Sequence, residues 1–381
     1  MTSREGRGMQ FWSALNRYLL PGLAFKAVVI GGGYATGREL VEFFMPAGPV
    51  GGLQGMLLAT ALWSGVCALT FLFAFRIGAT DYHNFFRNLL GRFDFLFEVI
   101  YFAFLVLVLS IFGSAAGALG ASLFGLPELV GTLALIALTL TVVALGQGAA
   151  ETLFKYVSVL LYGVYAIFLV LCLASFMPEI RAGLSRAIPT TGWATGGITY
   201  ASYNVIGAVL ILPVLRHLKS DRDAVIAGLL SGPLAMIPAL AFFTCLIPFY
   251  PNILHEPLPS DFALKALHIP VFHFAFQGMV FFALLECSVG FVQAFMARLD
   301  VHNERRGRQT PPALRIVVPG AITLGSVFIA ANVGLVALIA DGYRMMAYAI
   351  LLIYIAPLLT IGVARLLRPK RAAPIADESI A

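Results

Sequence analysis

The chain has 381 residues, of which 60% are apolar and only 12% charged, with a mean hydropathy of +0.90. Soluble domains carry about 25% charged residues, so this composition excludes a set of soluble domains and describes an integral membrane protein. The net charge of +6 does not point to nucleic acid, because the basic residues stand at the borders of apolar runs.

Ten apolar stretches follow one another, at 18–45, 50–75, 93–121, 126–146, 151–176, 193–216, 223–249, 270–298, 314–332 and 343–367. Each is long enough for the ~20 residues that cross a hydrocarbon core. The first is no cleavable signal, since it carries Lys26, Arg38, Glu39 and Glu42 and has no small-residue cleavage site. With the N-terminus inside, 19 basic residues fall on inner borders and 4 on outer ones. The positive-inside rule then puts both termini in the cytoplasm, with 1–17 and 368–381 as tails and 299–313 as a cytoplasmic loop.

The first stretch holds Gly31, Gly32, Gly33, Tyr34, Ala35, Thr36, Gly37, Arg38 and Glu39 in a row. Each glycine costs roughly 1 kcal/mol against alanine in a helix interior, and a charge at mid-bilayer at least ~2.5 kcal/mol. A helix interrupted near the midplane, with its backbone lining a polar cavity, accommodates both. The competing reading is close helix packing at the glycines, with Arg38 paired to Glu42. The third stretch offers Tyr101 as a cavity residue, with Glu98, Phe104 and Phe112, while Gly113, Gly117 and Gly120 suit helix packing.

Lys155 opens the fifth stretch, either as an interfacial lysine snorkelling to water or as a proton-cycling group. In the sixth, Gly196 and Gly197 precede Tyr200, Ser202, Tyr203 and Asn204, which suggests a second break facing the first, or interhelical hydrogen bonding. Glu286 lies deep in the eighth stretch beside Ser288; such a glutamate pairs or stays protonated and is the candidate coupling-proton carrier. Asn332 and Asp341 flank the last outer connection as gate or loop residues.

Cys67, Cys172, Cys245 and Cys287 each sit in an apolar run without CxxC or Cys/His spacing. No disulfide framework and no metal site is expected. The six histidines are scattered and form no metal set.

Ten stretches divide into five plus five, which forces the halves 18–176 and 193–367 into opposite orientations across a 177–192 connection. Aligning Tyr34-Ala35-Thr36 with Tyr200-Ala201-Ser202 places a glycine pair upstream and a proline downstream in both. Lys155 and Arg344, each followed ten residues later by Tyr165 and Tyr354, match likewise.

This pattern resembles the LeuT-type fold of the amino acid–polyamine–cation superfamily, and GGGYATGRE resembles the bacterial YkvI-type membrane proteins. The resemblance implies an all-α protein of ten transmembrane helices in an inverted repeat, with the first and sixth broken. It implies alternating-access transport, the substrate held among the first, third, sixth and eighth helices, with Ser288 able to serve a sodium ion and Lys155 a proton.

The functional expectation is a secondary active transporter moving a small polar solute, an amino acid or related zwitterion, coupled to H⁺ or Na⁺. The alternative is a passive channel or a transporter-like sensor without coupled flux. An enzyme is not expected, as neither HExxH nor GxSxG occurs. No cofactor is expected beyond Na⁺ as a coupling ion. The expected partners are a small-molecule substrate and the lipid bilayer, and the oligomeric state is open.

Overall fold

A computed structural model of the chain describes residues 17–305, 311 and 314–367. The expected tails at 1–17 (Arg17 apart) and 368–381 lie outside the described residues, as does most of 306–313. Among the described residues the architecture is helical, with no strand.

The helices in chain order are α1 (Leu20–Val29), α2 (Arg38–Phe44), α3 (Gly48–Ile77), α4 (Tyr82–Leu90), α5 (Phe95–Phe124), α6 (Glu128–Leu145) and α7 (Gln147–Ser185). They continue as α8 (Trp193–Asn204), α9 (Asp221–Leu246), α10 (Pro259–Leu267), α11 (Pro270–Arg305), α12 (Leu314–Val333) and α13 (Leu335–Leu367). Among the described residues seven stretches are long and apolar enough to cross a membrane, and α1 and Val317–Val333 are shorter apolar helices.

Local chemistry sets several ends. Asp81 caps α4 by accepting from the Asn84 amide at 2.8 Å, and Ser220 caps α9 by accepting from Asp223 N at 3.1 Å; each satisfies an amide the helix leaves unpaired. α7 bends at Phe176 (φ −125°), two residues before Pro178, whose ring cannot continue a straight helix. α13 loosens into π-type turns at Leu338–Gly342, Leu351–Ile355 and Leu358–Gly362.

Three boundaries depart from expectation. Most of the 177–192 connection is helical, because α7 continues to Ser185. The cytoplasmic loop expected from 299 begins later, since α11 runs to Arg305, and the last span begins at Leu335 rather than 343. In the first two cases polar residues end the apolar run before the backbone leaves the helix, and in the third Asp341 and Arg344 interrupt the apolar run of a helix that has already begun.

The helices form two groups. α3 packs along α8 and α9, and α9 also against α1, while α5, α6, α11 and α12 contact one another. Small residues make these approaches close, as membrane helices require where apolar burial gives no drive. A Cβ on Gly228 of α9 would fall on the Ala68 backbone of α3, and one on Gly131 of α6 on the Ala116 carbonyl of α5. Side chains then bond across: Ser64 Oγ donates to Leu229 O at 2.9 Å, Thr132 Oγ1 to Gly113 O at 2.8 Å and Trp63 Nε1 to Ala201 O at 3.1 Å. Large apolar side chains such as Leu57, Val159, Phe328 and Leu352 point outward from the bundle.

Candidate functional site

The expected interruption of the first helix is present. α1 ends at Ile30, Gly31 is extended (φ −102°, ψ −171°), Gly32–Ala35 form a single turn, and Gly37 is left-handed (φ +78°) before α2. The left-handed region favours glycine, so Gly37 fixes where the chain changes direction. The turn Gly32–Ala35 packs on α11 and α5, and its Tyr34 ring meets Phe242 of α9 in the other group at 5.8 Å between centroids.

The backbone at the break is partly used internally. Tyr165 Oη donates to the Ala35 carbonyl at 3.3 Å, and the Ser260 amide of α10 donates to the Thr36 carbonyl at 3.0 Å. The Thr36 hydroxyl accepts from Arg38 N at 3.2 Å.

The second interruption lies later than the sequence suggests. Gly196 and Gly197 are within α8, and a Cβ at either would meet the Phe43 or Gly55 carbonyl oxygen. They are close-packing positions. The chain leaves α8 after Asn204, then makes one turn at Gly207–Leu210 and a tight turn at Leu212–His217.

Two cavities adjoin the breaks. The larger, about 560 Å³, is lined by Lys26 and Tyr34 of the first segment, Tyr101 of α5, Tyr162 and Phe168 of α7, Phe242 and Cys245 of α9, and Glu286, Phe291 and Arg298 of α11, among others. It runs from the break toward the end of the molecule where α5 begins and α11 finishes. The smaller, about 30 Å³, lies between the breaks and is lined by residues that include Gly31, Glu39, Tyr203, Asn204 and Tyr343. That is room for about one water or a similarly small group.

Glu39 is buried beside the smaller cavity. Tyr203 Oη donates to its carboxylate at 2.7 Å, the Tyr343 hydroxyl also bonds it, and the two tyrosine rings stack at 4.2 Å and 8°. Arg38, adjacent in sequence, takes a different face of α2. It donates to the carbonyls of Leu254 (2.8 Å) and Glu256 (3.1 Å) and pairs with Glu42. Neighbours on a helix point about 100° apart, so Glu39 lines the smaller cavity while Arg38 lines neither.

The remaining expected residues divide similarly. Tyr34 and Tyr101 line the larger cavity together with Glu286. The Tyr34 hydroxyl is buried without a hydrogen-bond partner among the described residues, and so are those of Tyr200 and Ser288. Tyr200 packs against Trp63 and Phe44, at 5.4 and 4.8 Å between ring centroids, and lines neither cavity. Ser202 donates back to Ile198 O at 2.7 Å and Asn204 to Tyr200 O at 3.1 Å. The side chain of Lys155 lies outside the described residues. Asn332 donates to Phe328 O at 2.7 Å on its own helix, and the outward-facing Asp341 pairs with Arg344 at 3.7 Å.

Sequence reasoning passed over Lys26 as a site residue, and with it Tyr162, Arg298 and Tyr343. Lys26 is 8% exposed; its ammonium bonds the Tyr162 hydroxyl and stands 4.0 Å from that ring's centroid. Arg298 lies over Tyr101 at 3.4 Å and Tyr82 at 4.1 Å. A charge inside the first stretch was the available clue for Lys26; the tyrosines carried none. Among the described residues, no group of three His, Cys, Asp or Glu comes together as a metal site.

Fold and surface define an all-α, multi-pass membrane protein. Its fold is similar to that of a manganese transporter from Eremococcus coleocola, solved with an aromatic bis-isothiourea substituted compound, at TM-score 0.56 and 15% identity over 92% of this chain and 79% of that one. A single-substitution mutant of that transporter gives TM-score 0.56 and 16% identity, over 95% and 83%. In sequence the chain is 29% identical over 231 residues to the uncharacterized membrane protein YkvI of Bacillus subtilis strain 168. The match covers 59% of this chain, which spans 65% of that relative's length, just under two thirds. No protein-family model matches the chain.

Proposed function

We propose that the protein is a secondary active transporter that carries a small organic solute by alternating access, coupled to H⁺ or Na⁺. The observation that carries this reading is the 560 Å³ cavity that begins at the break of the first helix and lies between two helix groups. Secondary transporters place their sites at interrupted helices near the midplane and move one bundle against another. On this reading the segments 18–176 and 193–367 are inverted five-helix repeats of LeuT type. The first, sixth and ninth segments then cross the membrane as split or short helices, beside the seven long ones.

The structural neighbours' manganese is a different cargo. The larger cavity here is walled mainly by aromatic and aliphatic side chains, which suits an organic solute, whereas a hard divalent cation takes several oxygen ligands. An amino acid or related zwitterion is the proposed cargo, Glu286 the proposed proton carrier, and Glu39 with Tyr203 the polar wall beside the smaller cavity.

Uptake of labelled amino acids into proteoliposomes, under an imposed proton or sodium gradient, tests this. Accumulation abolished by collapsing the gradient is expected. Saturable flux that ignores both gradients would make the protein a passive channel, and binding without flux a sensor.

A further inference from the structure

The larger cavity has a charge distribution that the amino-acid reading does not use. Three charged side chains line it: Lys26, Arg298 and Glu286. Arg298 is held between two tyrosine rings at the cavity's end, with its Nη1 buried and without a hydrogen-bond partner among the described residues, and Glu286 is half-buried on α11 with an interaction of its own. Lys26 differs. It is almost fully buried, and among the described residues no carboxylate pairs with it; its ammonium meets only the Tyr162 hydroxyl and ring. An ammonium has three donors, and a buried charge is costly unless paired.

The same cavity holds a further unsatisfied donor. The Tyr34 hydroxyl is buried, lines the cavity and has no partner among the described residues. Leaving such a group unpaired costs about 1–3 kcal/mol, so an acceptor brought by a ligand would relieve it. Beyond these groups the walls are apolar, with Phe168, Phe242 and Phe291 prominent. A cavity with three spare donors (the Lys26 ammonium, the Tyr34 hydroxyl and Arg298 Nη1) and aromatic walls complements an acceptor-only head on an apolar body.

We propose that this cavity binds an organic monocarboxylate, its carboxylate paired with Lys26 and its apolar body against the aromatic walls, and that a ligand amine is not needed. The inference rests on the cavity being the solute site of the transporter proposed above, and among small organic solutes it selects amphipathic anions in place of zwitterions. Such an anion could be an aromatic acid from solution or a short fatty acid from the lipid phase.

Calorimetry on the full chain in maltoside detergent tests this with 3-phenylpropionate, octanoate, 3-phenylpropanol, 3-phenylpropylamine and L-phenylalanine. At least one acid is expected to bind about tenfold or more tightly than the alcohol and the amine, the size of one charge-assisted hydrogen bond. Tighter 3-phenylpropionate would identify the soluble source and tighter octanoate the lipid source. Lys26→Met should erase the preference for the acid while sparing the alcohol's affinity, and Lys26→Arg should restore part of it. Tyr34→Phe, which removes a hydroxyl without a hydrogen-bond partner among the described residues, should fold and weaken the acids several-fold.

Binding of L-phenylalanine without 3-phenylpropionate would overturn the inference and leave the amino-acid transporter standing. Equal binding of acid and alcohol by the wild type would also overturn it, whether or not Lys26→Met folds. Lys26-dependent binding of an acid without flux in proteoliposomes would keep the inference and overturn the transport reading.

Discussion

Glu39 and Arg38 are adjacent, yet the structure gives them unrelated work. Glu39 accepts hydrogen bonds from two tyrosine hydroxyls beside the small cavity, whereas Arg38 ties α2 to the 254–256 carbonyls. Tyr203→Phe removes one donor from a buried carboxylate and is expected to destabilise by about 1–3 kcal/mol, read as a lower melting temperature. Arg38→Ala should lower stability while leaving ligand affinity near wild type; a large loss of affinity at unchanged stability would return Arg38 to the site. Gly196→Ala is a separate test of packing. Its new Cβ would fall on the Phe43 carbonyl oxygen, and forced overpacking costs typically about 1–3 kcal/mol. An unchanged melting temperature would show that α8 has room to shift.

At the scale of elements, α10 is joined to its neighbours by one carboxylate. Asp261 accepts from Ser122 of α5 at 2.7 Å, from Lys265 at 2.7 Å, and from Gln277 of α11 at 2.7 Å, with His273 Nε2 at 2.6 Å. α10 also reaches the broken helix through Ser260 N and the Thr36 carbonyl. Burial pushes the Asp261 carboxyl upward, but the bonds from Lys265, Ser122 and His273 and the Lys265 charge outweigh it and hold it below its usual value. A depressed carboxylate stabilises the fold above its unfolded pKa, about 3.9, and that contribution is lost as pH falls through the lower folded value. Acid below about pH 4 should therefore loosen α10 first. Asp261→Asn should shrink the difference in melting temperature between pH 7 and pH 3. An unchanged difference would mean that other carboxylates govern acid stability.

Across the whole molecule, the 19-to-4 bias of basic residues gives a direction that helix packing alone does not. A green fluorescent protein fused after residue 381 should fluoresce, and a phosphatase fused after Ala187 should be active, if both termini are cytoplasmic. The reverse result would invert the protein and turn the large cavity, which ends near Tyr101 and Arg298, toward the outside. The fold-level likeness to a manganese transporter and the division into two helix groups belong to this scale too. Neither says which solute is carried, because a fold hosts many functions and the site decides among them.

The sequence by itself determined the solvent of this protein and the place of its main irregularity. Sixty per cent apolar residues demand a bilayer, and four glycines with two charges in one membrane stretch demand a break, so Gly31–Gly37 was legible in advance. Both are sums over local chemistry, each term large enough to read residue by residue. The tertiary structure alone decided which polar groups meet. Gly196 and Gly197 had the composition of a break but pack against carbonyls of α2 and α3. Lys26 read only as a charge inside the first stretch, and packing buries it at the wall of a cavity. Tyr343 joins Glu39 and Tyr203 from about 140 residues further along the chain. Helical periodicity fixes which side of a helix a residue occupies, but the neighbour on that side is chosen by how the helices pack.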